Sequence, residues 1–191
     1  MSASTKRGFW NIPNTLTVLR IAAVPVMVWL LYDPPSRSQD FIAFLVFVVA
    51  MITDIIDGWL ARKWNLTSTI GAYLDPLADK LMVITVLVML IPLGRVPAWI
   101  VALLLCRELA VTGLRSIASQ EGILLTASSL GKLKTSFQST AIGFLLWHWQ
   151  PWIPIDAVSA GNVLLYIATA CSVASGLEYF VSFMKGSKTT A

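Results

Sequence analysis

Residues 41–61 read FIAFLVFVVAMITDIIDGWLA, an apolar run that carries two aspartates, Asp54 and Asp57, toward its end. A helix rises 1.5 Å per residue, so about 20 residues cross the roughly 30 Å hydrocarbon core of a bilayer. Five similar stretches flank this one, giving six at approximately 15–32, 41–61, 72–92, 97–117, 131–149 and 157–182. Their alternation is helical and their connections are short. The expected fold is therefore all-α: a polytopic membrane protein, a bundle of six transmembrane helices. Spanning β-strands would be about ten residues each with alternating polarity, and no such pattern is present.

Composition agrees. Of 191 residues, 57% are hydrophobic and 13% charged, and the mean hydropathy is +0.74; soluble domains average about a quarter charged. Fourteen Lys+Arg against ten Asp+Glu leave +4, and the two cysteines, Cys106 and Cys171, sit far apart in apolar stretches. A disulfide scaffold, a zinc module and a disordered chain are excluded, and no nucleic-acid partner is expected. After Lys6 and Arg7, polar residues recur as far as Thr17, and no small-residue cleavage site precedes Asp33. The first apolar stretch is thus expected to be a retained span rather than a signal peptide. The expected organisation is a cytoplasmic segment over 1–14, one membrane domain over 15–184 and a short polar tail over 185–191.

Loop charges set the expected orientation. With the N-terminus inside, cytoplasmic segments hold Lys6, Arg7, Arg62, Lys63, Arg115, Lys132, Lys134, Lys185 and Lys188, nine cations against only Arg37 and Arg95 outside. This satisfies the positive-inside rule and puts both termini in the cytoplasm. Trp29, Trp99, Trp147, Trp149 and Trp152 then fall near the outer boundary, and Trp10, Trp59 and Trp64 near the inner one, as interfacial aromatics do.

Four carboxylates interrupt the apolar pattern. An acidic residue near the centre of a membrane helix costs at least about 2.5 kcal/mol on insertion scales, yet the second span ends with Asp54 and Asp57 and the third begins with Asp75 and Asp79. Asp54, Asp57, Gly58 and Ala61 follow i, i+3, i+4, i+7, and Gly71, Asp75 and Asp79 follow i, i+4, i+8, so each set shares one helix face. A loop from Arg62 to Ile70 lets the helices pack antiparallel and the carboxylates converge. Protonation or cations must relieve their repulsion. Two divalent ions bring +4 against −4, and oxygen-only ligands suit Mg²⁺ or Mn²⁺. Two metals about 3.5–4 Å apart clamp an in-line displacement at phosphorus. The competing reading makes these aspartates helix caps paired with Arg62, Lys63 and Lys80.

Taken together, Asp54-x2-Asp57-Gly58-x2-Ala61-Arg62-x8-Gly71-x3-Asp75-x3-Asp79 places eight fixed positions in 26 residues. It resembles, without a departure, the signature of the CDP-alcohol phosphatidyltransferase family. The resemblance implies a six-helix membrane enzyme, commonly a homodimer, that moves a phosphatidyl group from CDP-diacylglycerol to an alcohol and releases CMP. It implies that Asp54, Asp57, Asp75 and Asp79 hold two divalent ions and that Asp79 also acts as catalytic base. It further implies that Gly58, Ala61, Arg62 and Gly71 line the cytidine diphosphate of the donor. The site would face the cytoplasm from the cell membrane, with membrane lipids around it.

The acceptor must be read elsewhere. Asn11-Ile-Pro-Asn14-x-Leu-Thr17-x2-Arg20, Arg107-Glu108-x3-Thr112-x-Leu-Arg115 and Gly131-Lys132-x-Lys134-Thr135 resemble segments of family members whose acceptor is glycerol 3-phosphate. The resemblance extends from about residue 11 to 180. Independently, a small dianionic acceptor needs fixed cations. Arg107 and Arg115, eight apart, lie roughly on one face of span four, and Lys132 and Lys134 open span five; forked and point-charge contacts together suit a phosphate. Positive-inside topology and lipid headgroups account for Lys132, Lys134 and Arg115 equally well, but not for Arg107, deeper in an apolar helix. For Glu108 two readings stay open: orienting Arg115 or a lysine of span five, and a plain ion pair. The rival acceptor is inositol phosphate, with serine and a second phosphatidylglycerol behind it; the rival class is a cation transporter. His148 reads as interfacial, the cysteines as packing residues, and Asp40 and Asp156 as outer-loop solvation. Ser172, Ser175 and Gly176 permit close helix approach, within the chain or at a dimer contact.

Overall fold

The computed structural model describes residues 12–64, 69–121, 129–148 and 156–187. They form α1 (Ile12–Leu31), α2 (Arg37–Trp64), α3 (Thr69–Leu90), α4 (Ala98–Gln120), α5 (Ser129–Leu146) and α6 (Ala157–Ser187), and among the described residues there is no strand. Each of the six apolar stretches falls on one helix. Arg37–Ile56 and Ala157–Met184 are long and apolar enough to cross a membrane, and Thr15–Leu31 is a shorter apolar helix. The pattern is diluted in α4 by Arg107, Glu108 and Arg115 and in α5 by Lys132 and Lys134.

Helix ends differ from the expected ones for local reasons. Ser36 begins α2 with a reciprocal cap: its N–H donates to Gln39 Oε1 (2.8 Å) and its Oγ accepts from Gln39 N–H (3.4 Å). This capping box satisfies two donors that the helix start would otherwise leave open. Asp40 follows in the first turn of α2 and is only 2% exposed. Its place is a buried helix start, where the backbone dipole favours a carboxylate, and not outer-loop solvation. At the other end α2 continues to Trp64 and α3 starts at Thr69. Residues 62–64 and 69–70 of the expected Arg62–Ile70 loop are therefore helical, and 65–68 lie outside the described residues. Pro76 stands in the third turn of α3, where its missing N–H removes a ladder bond.

The chain divides into two compact units, Met1–Met89 and Leu90–Ala191. In the first, α1 packs on α2. Met27, Leu30 and Leu31 of α1 are buried, as are Ala43, Phe47 and Ala50 of α2, the latter at helical spacing. Small residues at 43 and 50 let the backbones approach, which is how apolar helices associate where lipid supplies no hydrophobic drive.

In the second unit α4 and α5 both pack on α6. Its first residues form a Schellman turn: Gly94 N–H donates to Ile91 O (2.9 Å) and Arg95 N–H to Leu90 O (3.2 Å). Gly94 adopts φ +68°, a left-handed conformation open to a residue without Cβ. Arg95 then turns inward. It is buried, donates from Nη1 to Leu145 O (3.4 Å) at the end of α5, and accepts on its own carbonyl from Asn162 Nδ2 (3.0 Å) of α6. Gly161 brings α6 against α5 so closely that a Cβ there would lie 2.8 Å from Leu145 Cγ.

Asp156 caps α6, its Oδ2 accepting from Ser159 Oγ (2.6 Å) and its Oδ1 from Val158 N–H (3.1 Å). These bonds, that from the Ser159 side chain foremost, hold its carboxyl below the usual range. A depressed carboxyl stabilises above its unfolded-state value and loses the contribution as pH falls through the lowered value. Amide exchange at 158–160 should accordingly quicken below about pH 4 beyond the intrinsic rate, and Asp156→Asn should remove that extra dependence. Gly161→Val should destabilise the protein by about 1–3 kcal/mol through overpacking, read as a lower thermal midpoint in detergent.

Candidate active site

The acidic signature lies inside helices rather than at their ends. Asp54, Asp57, Gly58, Ala61 and Arg62 belong to α2, and Gly71, Asp75 and Asp79 to α3, so both one-face registers are helical as expected. Asp54 has ten further residues of helix after it and caps nothing. Among the described residues Arg20 of α1 donates from Nη1 to Asp54 Oδ1 at 2.6 Å, while the side chains of Arg62 and Lys63 lie outside the described residues. Asp79 is half-buried. The side chains of Asp57, Gly58, Ala61, Arg62, Gly71 and Asp75 lie outside the described part of the structure. Among the described residues no group of three or more His, Cys, Asp or Glu is gathered for a metal. The donor chemistry is nonetheless specific: four carboxylates, with no thiolate or imidazole on either register, fit a hard ion such as Mg²⁺ or Mn²⁺.

The candidate acceptor residues occupy α4 and α5, and their partners lie on α6. Arg107, near the middle of α4, donates from Nε to Ser172 O (2.8 Å) and from Nη2 to Ser175 Oγ (2.6 Å). Ser175 Oγ in turn donates to Ser172 O (3.1 Å). Glu108 Oε2 accepts from Arg107 Nη1 (3.5 Å) and from Lys134 Nζ (2.5 Å), so the carboxylate bridges the arginine and a lysine of span five. Arg115, two turns beyond Arg107, donates from Nη2 to the Tyr179 hydroxyl, and its guanidinium carbon lies 4.7 Å from the Tyr179 ring centroid. Lys132 is exposed at the start of α5.

Charge explains the arrangement. A guanidinium in the middle of an apolar helix must be paired or hydrogen-bonded. Here two oxygens of α6 and one carboxylate meet it. An arginine offers five N–H groups, and among the described residues Ser172, Ser175 and Glu108 take three of them. Gly176 makes the seat: a Cβ there would stand 3.3 Å from Arg107 Cγ and 3.5 Å from Nε. The small residues of α6 therefore serve an intramolecular contact with α4. Arg20, Ser172, Ser175 and Tyr179 are the participants whose contacts sequence reasoning did not foresee. The i, i+3, i+4, i+7 spacing of Ser172, Ser175, Gly176 and Tyr179 was the available signal.

Comparison with known proteins agrees with the acidic signature. A sequence model described as CDP-alcohol phosphatidyltransferase matches residues 10–174, and the chain belongs to that family. It is 35% identical to the CDP-diacylglycerol–glycerol-3-phosphate 3-phosphatidyltransferase of Bacillus subtilis (strain 168), covering 95% of this chain and 99% of that protein. The enzyme of the same name from Haemophilus influenzae is 37% identical, over 93% of this chain and 95% of its own. That of Escherichia coli (strain K12) is 35% identical, over 89% and 93%.

Arg107→Ala should remove the guanidinium donor from Ser172 O and Ser175 Oγ and destabilise the protein by about 1–3 kcal/mol, measured by thermal unfolding in detergent. Arg107→Lys should recover only part of that, since one ammonium cannot reproduce the forked contact.

Proposed function

We propose that this chain transfers the phosphatidyl group of CDP-diacylglycerol to glycerol 3-phosphate, giving phosphatidylglycerol phosphate and CMP in phospholipid synthesis. The observation that carries this reading is similarity over nearly the whole chain to relatives named for that reaction. The complete signature inside α2 and α3 supports it. The protein works in the membrane. Large apolar side chains such as Leu19, Val49, Ile55, Leu109, Val163 and Leu177 stand exposed, as a lipid-facing surface requires. All six helices span the cell membrane, both termini and the active site lie on the cytoplasmic side, and the protein works as a homodimer. The donor's acyl chains enter sideways from the bilayer while its cytidine reaches cytoplasmic water.

Asp54, Asp57, Asp75 and Asp79 are the residues that would hold two Mg²⁺ or Mn²⁺ ions. Ions bound there supply electrostatic stabilisation of charge developing on the diphosphate. Gly58, Ala61 and Gly71 leave room along the donor's diphosphate, and Arg62 contributes a cation to it. Arg107, Arg115, Lys132 and Lys134 hold the acceptor phosphate, and with Glu108 they keep an excess of three positive charges for a dianion. The oxygen of the acceptor's 1-hydroxyl attacks the phosphorus that bears diacylglycerol. Its proton passes to the Asp79 carboxylate. The bond from that phosphorus to the CMP oxygen breaks, and CMP leaves with the electron pair.

Purified protein given CDP-diacylglycerol should release CMP only when glycerol 3-phosphate is added, and EDTA should stop the release. Equal or faster release with inositol phosphate would overturn the acceptor assignment. Asp79→Asn should abolish turnover while leaving donor binding largely intact; turnover at the wild-type rate would remove Asp79 as the base. Lys132→Ala, at an exposed position, should raise KM for glycerol 3-phosphate well above any change in KM for the lipid donor.

A further inference from the structure

The Arg20–Asp54 pair is asymmetric. Arg20 is the inner partner, its side chain 1% exposed, whereas the Asp54 side chain is 37% exposed. Thr17, one turn earlier on α1, is fully buried, so the guanidinium is presented from the packed face of α1 against α2. Among the described residues the engaged atom of Asp54 is Oδ1, at 2.6 Å. An exposed ion pair has both partners wet and contributes little. Here the cation is sealed while the carboxylate keeps an open side. A carboxylate held through one oxygen on a side chain still 37% exposed has the arrangement of a metal ligand oriented by an outer-shell donor.

We propose that Arg20 is a positioning residue for divalent-ion binding: it locks the Asp54 carboxylate through Oδ1 so that Oδ2 is the ligating atom. This rests on the reading above of Asp54 as a metal ligand. The pair does more than fasten α1 to α2. Loss of a fastener lowers thermal stability and leaves the affinity of a folded protein for an ion unchanged. Loss of a ligand's orienting partner weakens ion binding itself, typically 10–100-fold. Lysine in place of arginine keeps the charge but loses the planar fork, so it should give an intermediate effect.

The test titrates the full-length protein in detergent micelles with Mn²⁺ alone, without substrate, reading free Mn²⁺ by its electron paramagnetic resonance signal. Wild type should bind saturably and Asp54→Asn should lose that binding. Arg20→Gln should weaken it 10–100-fold, Arg20→Lys less, and Arg20→Gln should add nothing on top of Asp54→Asn. Circular dichroism and the thermal midpoint show whether each variant is folded. If Arg20→Gln does not fold, Arg20→Lys decides alone: weaker binding supports the proposal and wild-type affinity overturns it. Wild-type affinity in folded Arg20→Gln, with Asp54→Asn impaired, overturns the positioning role and leaves Asp54 as a ligand. If Asp54→Asn binds Mn²⁺ as wild type does, the metal reading fails, and the role of Arg20 with it.

Discussion

A charge carried on an apolar helix has to be met by a partner from a neighbouring helix, because the surroundings offer neither water nor a high dielectric to disperse it. Both units obey this constraint. In the first, the sealed guanidinium of Arg20 is matched by Asp54 across the α1–α2 contact. In the second, Arg107 is met by two serine oxygens of α6 and by Glu108, which also holds Lys134. Apart from Arg107–Glu108, which lies within α4, each of these contacts joins two helices, so the charged groups also specify which helices pack together.

Small residues make these contacts reachable. Gly176 gives Arg107 a path along α6, and Gly161 lets α6 lie against α5 without an intervening side chain. With no hydrophobic drive between helices in lipid, close backbone approach and interhelical hydrogen bonds carry the association. The serines at 172 and 175 contribute to both, since each is small and each presents an oxygen to α4.

The number and place of the helices were legible because an apolar run of span length is a local property of the chain. Their ends were less so. Asp54 and Asp57 read as the close of a span, but carboxylates do not interrupt helical hydrogen bonding, and α2 runs on to Trp64. The starts of α2 and α6 were written locally in Ser36–Gln39 and Asp156–Ser159, yet Asp40 and Asp156 read as solvated loop charges because capping depends on which residue the helix begins with. The acidic signature was legible as a one-face pattern. Asp54 as the partner of Arg20 and the two serines as partners of Arg107 were not, since they stand 34 to 68 residues away and only packing of the helices decides which oxygens a buried guanidinium meets.

Arg95 ties the last turn of α5 to the first turns of α6 from outside the segment that connects them. Its side chain reaches Leu145 O and its carbonyl receives Asn162 Nδ2. The registration of that hairpin is consequently anchored by a residue some fifty positions upstream.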